Sequence, residues 1–287
     1  MSTLAAGSPE IATVETPSGK GRGGENFPVG SWLIRRELRP HVHAFYRFAR
    51  NADDIADNPE LAPEDKLRRL DRMADVLEGA PGGGSPAAAA MRASLAETGT
   101  TSVHCHDLLK AFRLDAIKSR YRDWDDLMDY CRYSAASVGR QLLDLHGEGR
   151  ETWPPSDALC AALQVLNHLQ DCALDYRALD RVYVPLDALG RAGLRAEVLA
   201  EPAARPPFRQ VLDELVDRTE ALILAAHDLP GRVNARGLRW ESAVIVALAG
   251  RLAQRLRRGD PLAGRVKLSG GDFAPAFLKG IFAPRRG

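Results

Sequence analysis

The sequence predicts an all-α protein, and three observations carry that prediction. Apolar residues recur at intervals of three and four along most of the chain, while the alternating pattern of a half-buried strand is nearly absent. The breaks between these stretches are short and rich in Pro and Gly, as at PGGGSP, TWPPSD and EPAARPPF. Two of the stretches share a row of residues four apart that starts apolar and ends in acids.

Taken in order, residues 1–24 carry no basic-then-apolar signal pattern and read as a disordered tail, leaving residues 25–287 for one helical domain. The first helix is expected from Arg36 to Asp57, with Leu38, Val42, Phe45, Ala49 and Ala52 as its stripe and Asn58-Pro59 as its stop. The second, over 64–78, follows Pro63 and carries Leu67, Leu70, Met73 and Leu77. Further helices are expected over 87–97, 104–118, 124–146, 157–179, 208–227 and 236–258, the last closed by Gly259-Asp260-Pro261. No linker is long enough to separate two domains.

At 287 residues the chain can bury a sizeable core. The 39 basic and 38 acidic residues nearly cancel, so nothing in the bulk charge attracts nucleic acid or an anionic membrane. Four cysteines without a CxxC pair read as small buried residues of a reducing compartment. The most apolar run, AVIVALAG at 243–250, falls far short of a spanning helix, and a cytoplasmic protein is expected.

The acid-ended rows carry the chemistry. One runs Phe45, Ala49, Asp53, Asp57; the other runs Leu159, Leu163, Asn167, Asp171, Asp175. Residues four apart share a helix face, so each row extends a core-facing stripe into a line of oxygen ligands. Charge in such a stripe is costly unless it is neutralised, and the C-terminal end of a helix disfavours acids further. Oxygen-only donors suit Mg²⁺, which keeps waters and takes one or two carboxylates together with substrate phosphates. Two facing rows therefore imply a diphosphate bridged by Mg²⁺, released beside an apolar cavity. The bland alternative for either row alone is a solvated, salt-bridged face, and Arg50 with Asp54 is a ready example.

The segments ENFPVGSWLI, AFYRFARNADDIAD, YCRYSAASVGRQLLDLHG and LQVLNHLQDCALDYRALDRVYVP together resemble the squalene/phytoene synthase family of head-to-head isoprenoid synthases, over roughly residues 25–285. The resemblance implies an isoprenoid synthase fold, one helical domain around a central cavity with acidic motifs on opposing walls. It implies Mg²⁺ at Asp53, Asp57, Asn167, Asp171 and Asp175. It places Arg39, Tyr46, Arg50, Gln164 and Tyr183 against diphosphate or the first isoprenoid chain, and gives Tyr133 a part in proton transfer beside the catalytic acids Asp53, Asp57 and Asp171.

The wording of the second motif, with RLRRGDPLAGRVKLS later, is closest to the bacterial hopanoid-pathway branch. That branch implies conversion of presqualene diphosphate and water to hydroxysqualene and diphosphate. Head-to-head condensation of two prenyl diphosphates, and a catalytically silent member that binds a partner enzyme, are the alternatives. Gln170 and Leu174 depart from the usual Arg and acid of the second motif; the first is read as loss of a phosphate-facing cation, and both favour the hydroxysqualene branch.

Lys118, Arg120 and Arg122 are candidate phosphate ligands whose plainer reading is a charged helix end. His104 and His106 stand on different helix faces, against a metal site, and His168 is expected to point away from the ligand face. Trp240 is expected in the core. The aromatic and basic C-terminus, with Phe277, Phe282 and Lys279, reads as core cover, with a transient contact to the membrane or to other squalene-pathway enzymes as the second reading.

Overall fold

In a computed structural model, which describes residues 13–16 and 34–273, the chain is a stack of α-helices with one isolated parallel bridge between Arg120 and Val182. Helix α1 (Arg39–Asp57) has Pro40 in its first turn and ends at Asn58, whose extended backbone is what the following proline demands. Helix α2 (Pro63–Leu77) starts on a proline and carries Glu64 and Asp65 in its first turn, where the helix dipole favours acids. In α3 (Pro86–Thr98) the Ser85 hydroxyl caps the Ala88 N–H, and Gly99 leaves the helix with φ 67°. Helix α4 (Val103–Ile117) completes the first half.

In the second half, Asp123 caps α5 (Trp124–Ser134), and α6 (Ala136–Leu145) follows after a break at Ala135 (φ −118°, ψ −47°). The single stretch expected over 124–146 is thus two helices; it holds no proline to mark the break. Helix α7 (Trp153–Leu179) is the longest of those described, and it ends on Asp180 in the left-handed conformation. Short α8 (Leu186–Arg191), α9 (Pro206–Ala226), short α10 (Leu229–Arg232) and α11 (Arg236–Arg258) complete the order.

Two large apolar clusters make up most of the core of this stack. Phe45, Phe48, Ile55, Leu70, Met73, Met91 and Leu109 join α1 to α4. Leu127, Leu166, Leu169, Phe208, Leu212, Leu252 and Leu256 join α5 to α11. Each such fully buried side chain contributes roughly 1.5–3 kcal/mol. Trp240, placed in the core by its spacing, is half-buried under Arg236, 4.3 Å from its ring centroid; among the described residues Trp153 and Trp124 are the tryptophans packed on the core.

Part of the stretch read as a tail is seated on the domain. The Val14 N–H donates to the Gly84 carbonyl at 2.8 Å, and Glu15 accepts from the Ser85 hydroxyl and the Ala87 N–H at 2.8 and 2.7 Å. The rest of residues 1–24, and the aromatic C-terminus from 274 on, lie outside the described residues.

Candidate active site

The first acidic wall is the last two turns of α1. Asp53 and Asp57 face a chamber of about 320 Å³. Arg50 pairs with both Asp53 (3.0 Å) and the buried Asp54 (2.9 Å), one turn back on the same helix. The Asp53 side chain keeps 35% of its surface open, and it lines the chamber. Burial, then repulsion from Asp57, push its carboxyl up to about 7 against the opposing pull of Arg50.

The second wall is α7, which contributes Gln164, Asn167, His168, Asp171 and Asp175 to the same chamber. Burial raises both acids, and the neighbouring Asp171 carries Asp175 up to about 7. Arg265, on the loop after α11, grips Asp171 with Nε at 2.6 Å and a second donor at 2.8 Å. Among the described residues the Asp175 carboxylate has no hydrogen bond or ion pair.

A buried floor joins the walls. The bridge at Val182 holds residues 181–184 extended, so Arg181 and Tyr183 turn to the chamber while Val182 and Val184 enter the core. Arg181, 8% exposed, donates to Asp57 Oδ1 at 2.5 Å, to the Ala56 carbonyl at 3.2 Å and to the Asp115 carbonyl at 3.0 Å. It satisfies the C-terminal carbonyls of α1 and α4 with one guanidinium. Asp115 accepts from the Tyr130 hydroxyl at 2.9 Å and the Tyr183 hydroxyl at 3.2 Å, and burial lifts its carboxyl to about 6. His168 stacks on Tyr183 with ring centroids 3.4 Å apart and accepts from the Gln164 amide at 3.1 Å. Burial and then Arg181 depress it to about 3, so it stays neutral.

Beside the chamber lies an apolar cavity of about 400 Å³, lined mainly by Phe45, Val138, Leu142, Leu159, Leu163 and Ile245. Asp53, Phe112 and Ser134 line both spaces, so the acid-walled chamber and the hydrocarbon-walled cavity share one boundary. Gly139 belongs to this wall because a Cβ there would stand 2.6 Å from Cys160 Sγ and Ser156 Oγ.

The structure therefore brings together Asp53, Asp57, Gln164, Asn167, Asp171, Asp175 and Tyr183 at the chamber, with Tyr46 and Arg50 on the apolar cavity. Two of the expected residues line neither space. Arg39 lines neither space: it opens α1 and donates from Nε to the Ile34 carbonyl at 3.0 Å. A rise of about 1.5 Å per residue leaves it some 20 Å from Asp53 along the helix. Tyr133 also lines neither space; it packs under Lys110, whose Nζ is 3.8 Å from the ring centroid, and the tyrosine facing the chamber is Tyr130.

His168 likewise faces the chamber instead of turning away. Gln170 is buried, its amide donating to the Val266 carbonyl, and Leu174 is 61% exposed. Neither position lines the chamber, so the cation read as missing at 170 does not bear on it; Arg265 puts one beside Asp171 instead. Arg181 and Arg265 were missed because each acts from a loop. Lys118 pairs with Asp126, Arg120 with Asp180, and the two histidines with Asp144 and Glu78, all away from the chamber.

Do the donors fit a divalent cation? Among the described residues no three His, Cys, Asp or Glu side chains stand close enough to enclose an ion alone. The walls instead offer carboxylate and amide oxygens in ones and twos, with burial raising the proton affinity of Asp53 and Asp175. That donor set fits Mg²⁺ shared with a phosphate ligand.

Comparison with known proteins agrees with this geometry. The family model for squalene/phytoene synthase matches residues 21–272. A hydroxysqualene synthase of Rhodopseudomonas palustris is 46% identical over 91% of this chain and 89% of its own length. One from Zymomonas mobilis is 46% identical over 87% and 84%. A crystal structure of a squalene synthase from Alicyclobacillus acidocaldarius superposes with a TM-score of 0.71 at 32% identity, covering 80% of this chain and 87% of that one. The match spans both acidic walls, the floor residues and the Arg265 loop, and the chain belongs to the squalene/phytoene synthase family.

Proposed function

We propose that this protein is a hydroxysqualene synthase, converting presqualene diphosphate and water to hydroxysqualene and diphosphate. The observation that carries the reading is the shared boundary at Asp53, Phe112 and Ser134, where an acid-walled chamber adjoins an apolar cavity. A prenyl diphosphate has those two halves. The 46% identity to the hydroxysqualene synthases supports the choice of reaction within the family.

Asp53 and Asp57 would hold Mg²⁺ from α1, and Asn167, Asp171 and Asp175 from α7. Bound there, the metal supplies Lewis-acid assistance to the departing diphosphate. Arg181 fixes Asp57 and ties the ends of α1 and α4, while Arg50 and Arg265 balance charge on either wall. Tyr130 and Tyr183, both bonded to Asp115, with neutral His168, line the floor with aromatic faces that favour a nearby carbocation over water. The apolar cavity excludes bulk water from the hydrocarbon.

The reading also places the enzyme in the cytoplasm, with a peripheral membrane contact where the hydrocarbon product leaves. Among the described residues no helix is long and apolar enough to cross a membrane. The second reading, condensation of two prenyl diphosphates, draws on the family match to squalene/phytoene synthase. Purified protein with Mg²⁺ and no reductant separates them. Hydroxysqualene from presqualene diphosphate alone is the expected result; formation of a C30 product from farnesyl diphosphate would overturn the assignment.

A further inference from the structure

The 39 basic and 38 acidic residues nearly cancel over the whole chain, but they are not evenly spread. Between 251 and 272 six basic side chains stand against two acids. Arg251, Arg255 and Arg258 recur at intervals of four and three, so they share one face of α11. Arg257 lies off that face and is held by Asp217 and Glu220. In the segment after the helix, Val266 and Leu268 pack on the core, while Arg265 and Lys267 alternate with them and are exposed. The helix face and this segment together line a groove of about 730 Å³.

Both acids of the stretch are already spent. Asp272 pairs with Arg255 at 2.7 Å and accepts from the Ser269 N–H at 2.7 Å. Asp260 accepts from the backbone N–H groups of Ala204 and Leu262, at 2.8 and 2.9 Å. Arg258 and Lys267, by contrast, have no hydrogen bond or ion pair among the described residues. The chain beyond Asp272 adds Lys279, Arg285 and Arg286 and no acidic side chain, so it cannot neutralise them. Such a groove attracts anions. It also borders the acid chamber, because Arg265 lines it while gripping Asp171 in the chamber wall.

The chemistry of the reaction indicates which anion. Substrate and product both carry a C30 hydrocarbon, which leaves water for lipid. We propose that this groove docks the protein on an anionic membrane, with lipid phosphate headgroups seated against Arg258 and Lys267. The inference rests on the hydroxysqualene reading above and names the surface of its membrane contact. Docking there brings the chamber to the phase that holds its substrate. The near-zero net charge does not oppose it, since charges more than about 10 Å apart are largely screened at ordinary salt.

The test is sedimentation of the protein with phosphatidylcholine vesicles, with and without phosphatidylglycerol, at low and high salt. Wild type should bind the vesicles that contain phosphatidylglycerol and leave them at high salt. Arg258→Gln and Lys267→Gln should each weaken binding about fivefold, the worth of one basic residue at an anionic surface. Arg68→Gln, which neutralises an exposed arginine on α2, should bind as wild type does. In detergent, with presqualene diphosphate and Mg²⁺, the Arg258 and Lys267 variants should keep the wild-type rate, since neither residue lines the chamber. No binding to phosphatidylglycerol vesicles overturns the inference and leaves the groove to an acidic protein partner. Equal binding by wild type and both groove variants also overturns it, as does an equal loss in Arg68→Gln, which marks net charge alone. Each of these results leaves the hydroxysqualene reading standing. A wild type that makes no hydroxysqualene in detergent overturns that reading and the inference with it.

Discussion

The two acidic walls have the same sequence pattern and are held in different ways. On α1 the acids sit at the end of the helix, and Asp57 is locked by Arg181, a guanidinium only 8% exposed that also binds two helix-terminal carbonyls. On α7 Asp171 lies two turns before the end of a 27-residue helix and Asp175 in its last turn, and Asp171 is met by Arg265, an exposed side chain on a loop. One wall is fixed by a buried cation that cannot leave without unsatisfying backbone. The other is balanced by an exposed cation on a loop, which holds no helix-terminal carbonyl. The difference teaches that a row of acids at helical spacing specifies ligands without specifying what keeps them apart when no ligand is bound.

The largest expected effect comes from the acids themselves. Asp53→Asn and Asp171→Asn should each lower kcat/KM for presqualene diphosphate by at least about 100-fold, since each removes a charge on which leaving-group stabilisation depends. Comparable loss from both walls sustains the bridging picture; full activity in either would confine the metal to the other.

Next, Arg181→Met should cost roughly 3 kcal/mol in denaturant unfolding, because it leaves Asp57 and two carbonyls without a partner. Arg265→Ala should cost under about 1 kcal/mol, as for other exposed pairs. Equal costs would erase the contrast between the walls.

A smaller effect follows from pH. The Asp53 carboxyl stands at about 7, above its ordinary 3.8, so the folded protein holds that proton more tightly than the unfolded chain. Its contribution to stability in EDTA is complete below the ordinary value and lost as pH rises through about 7. The melting temperature of Asp53→Asn should therefore gain on wild type between about pH 5 and pH 8 without metal, and Mg²⁺ should narrow the gap. A gap that stays flat with pH would contradict the burial of Asp53.

Most of the helical layout was legible, because stripes such as Leu70, Met73 and Leu77 and stops such as Asn58-Pro59 are local signals. Both acid rows were legible for the same reason. The floor was not. Arg181 and Tyr183 reach the chamber only because a bridge to the α4–α5 loop holds them extended, which no periodicity announces. Tyr130 and Tyr133 lie three apart on what reads as one helix, and only packing of α5 decides which faces inward.

The central claim is that a diphosphate sits between the walls through shared Mg²⁺. Calorimetric titration with inorganic diphosphate tests it most directly, using wild type, Asp53→Asn and Asp171→Asn with Mg²⁺ or EDTA. Binding should appear in wild type only with Mg²⁺ and weaken at least about tenfold in each variant, as loss of one charge-assisted contact requires. Equal binding in EDTA, or in the Asp171→Asn protein, would contradict the account.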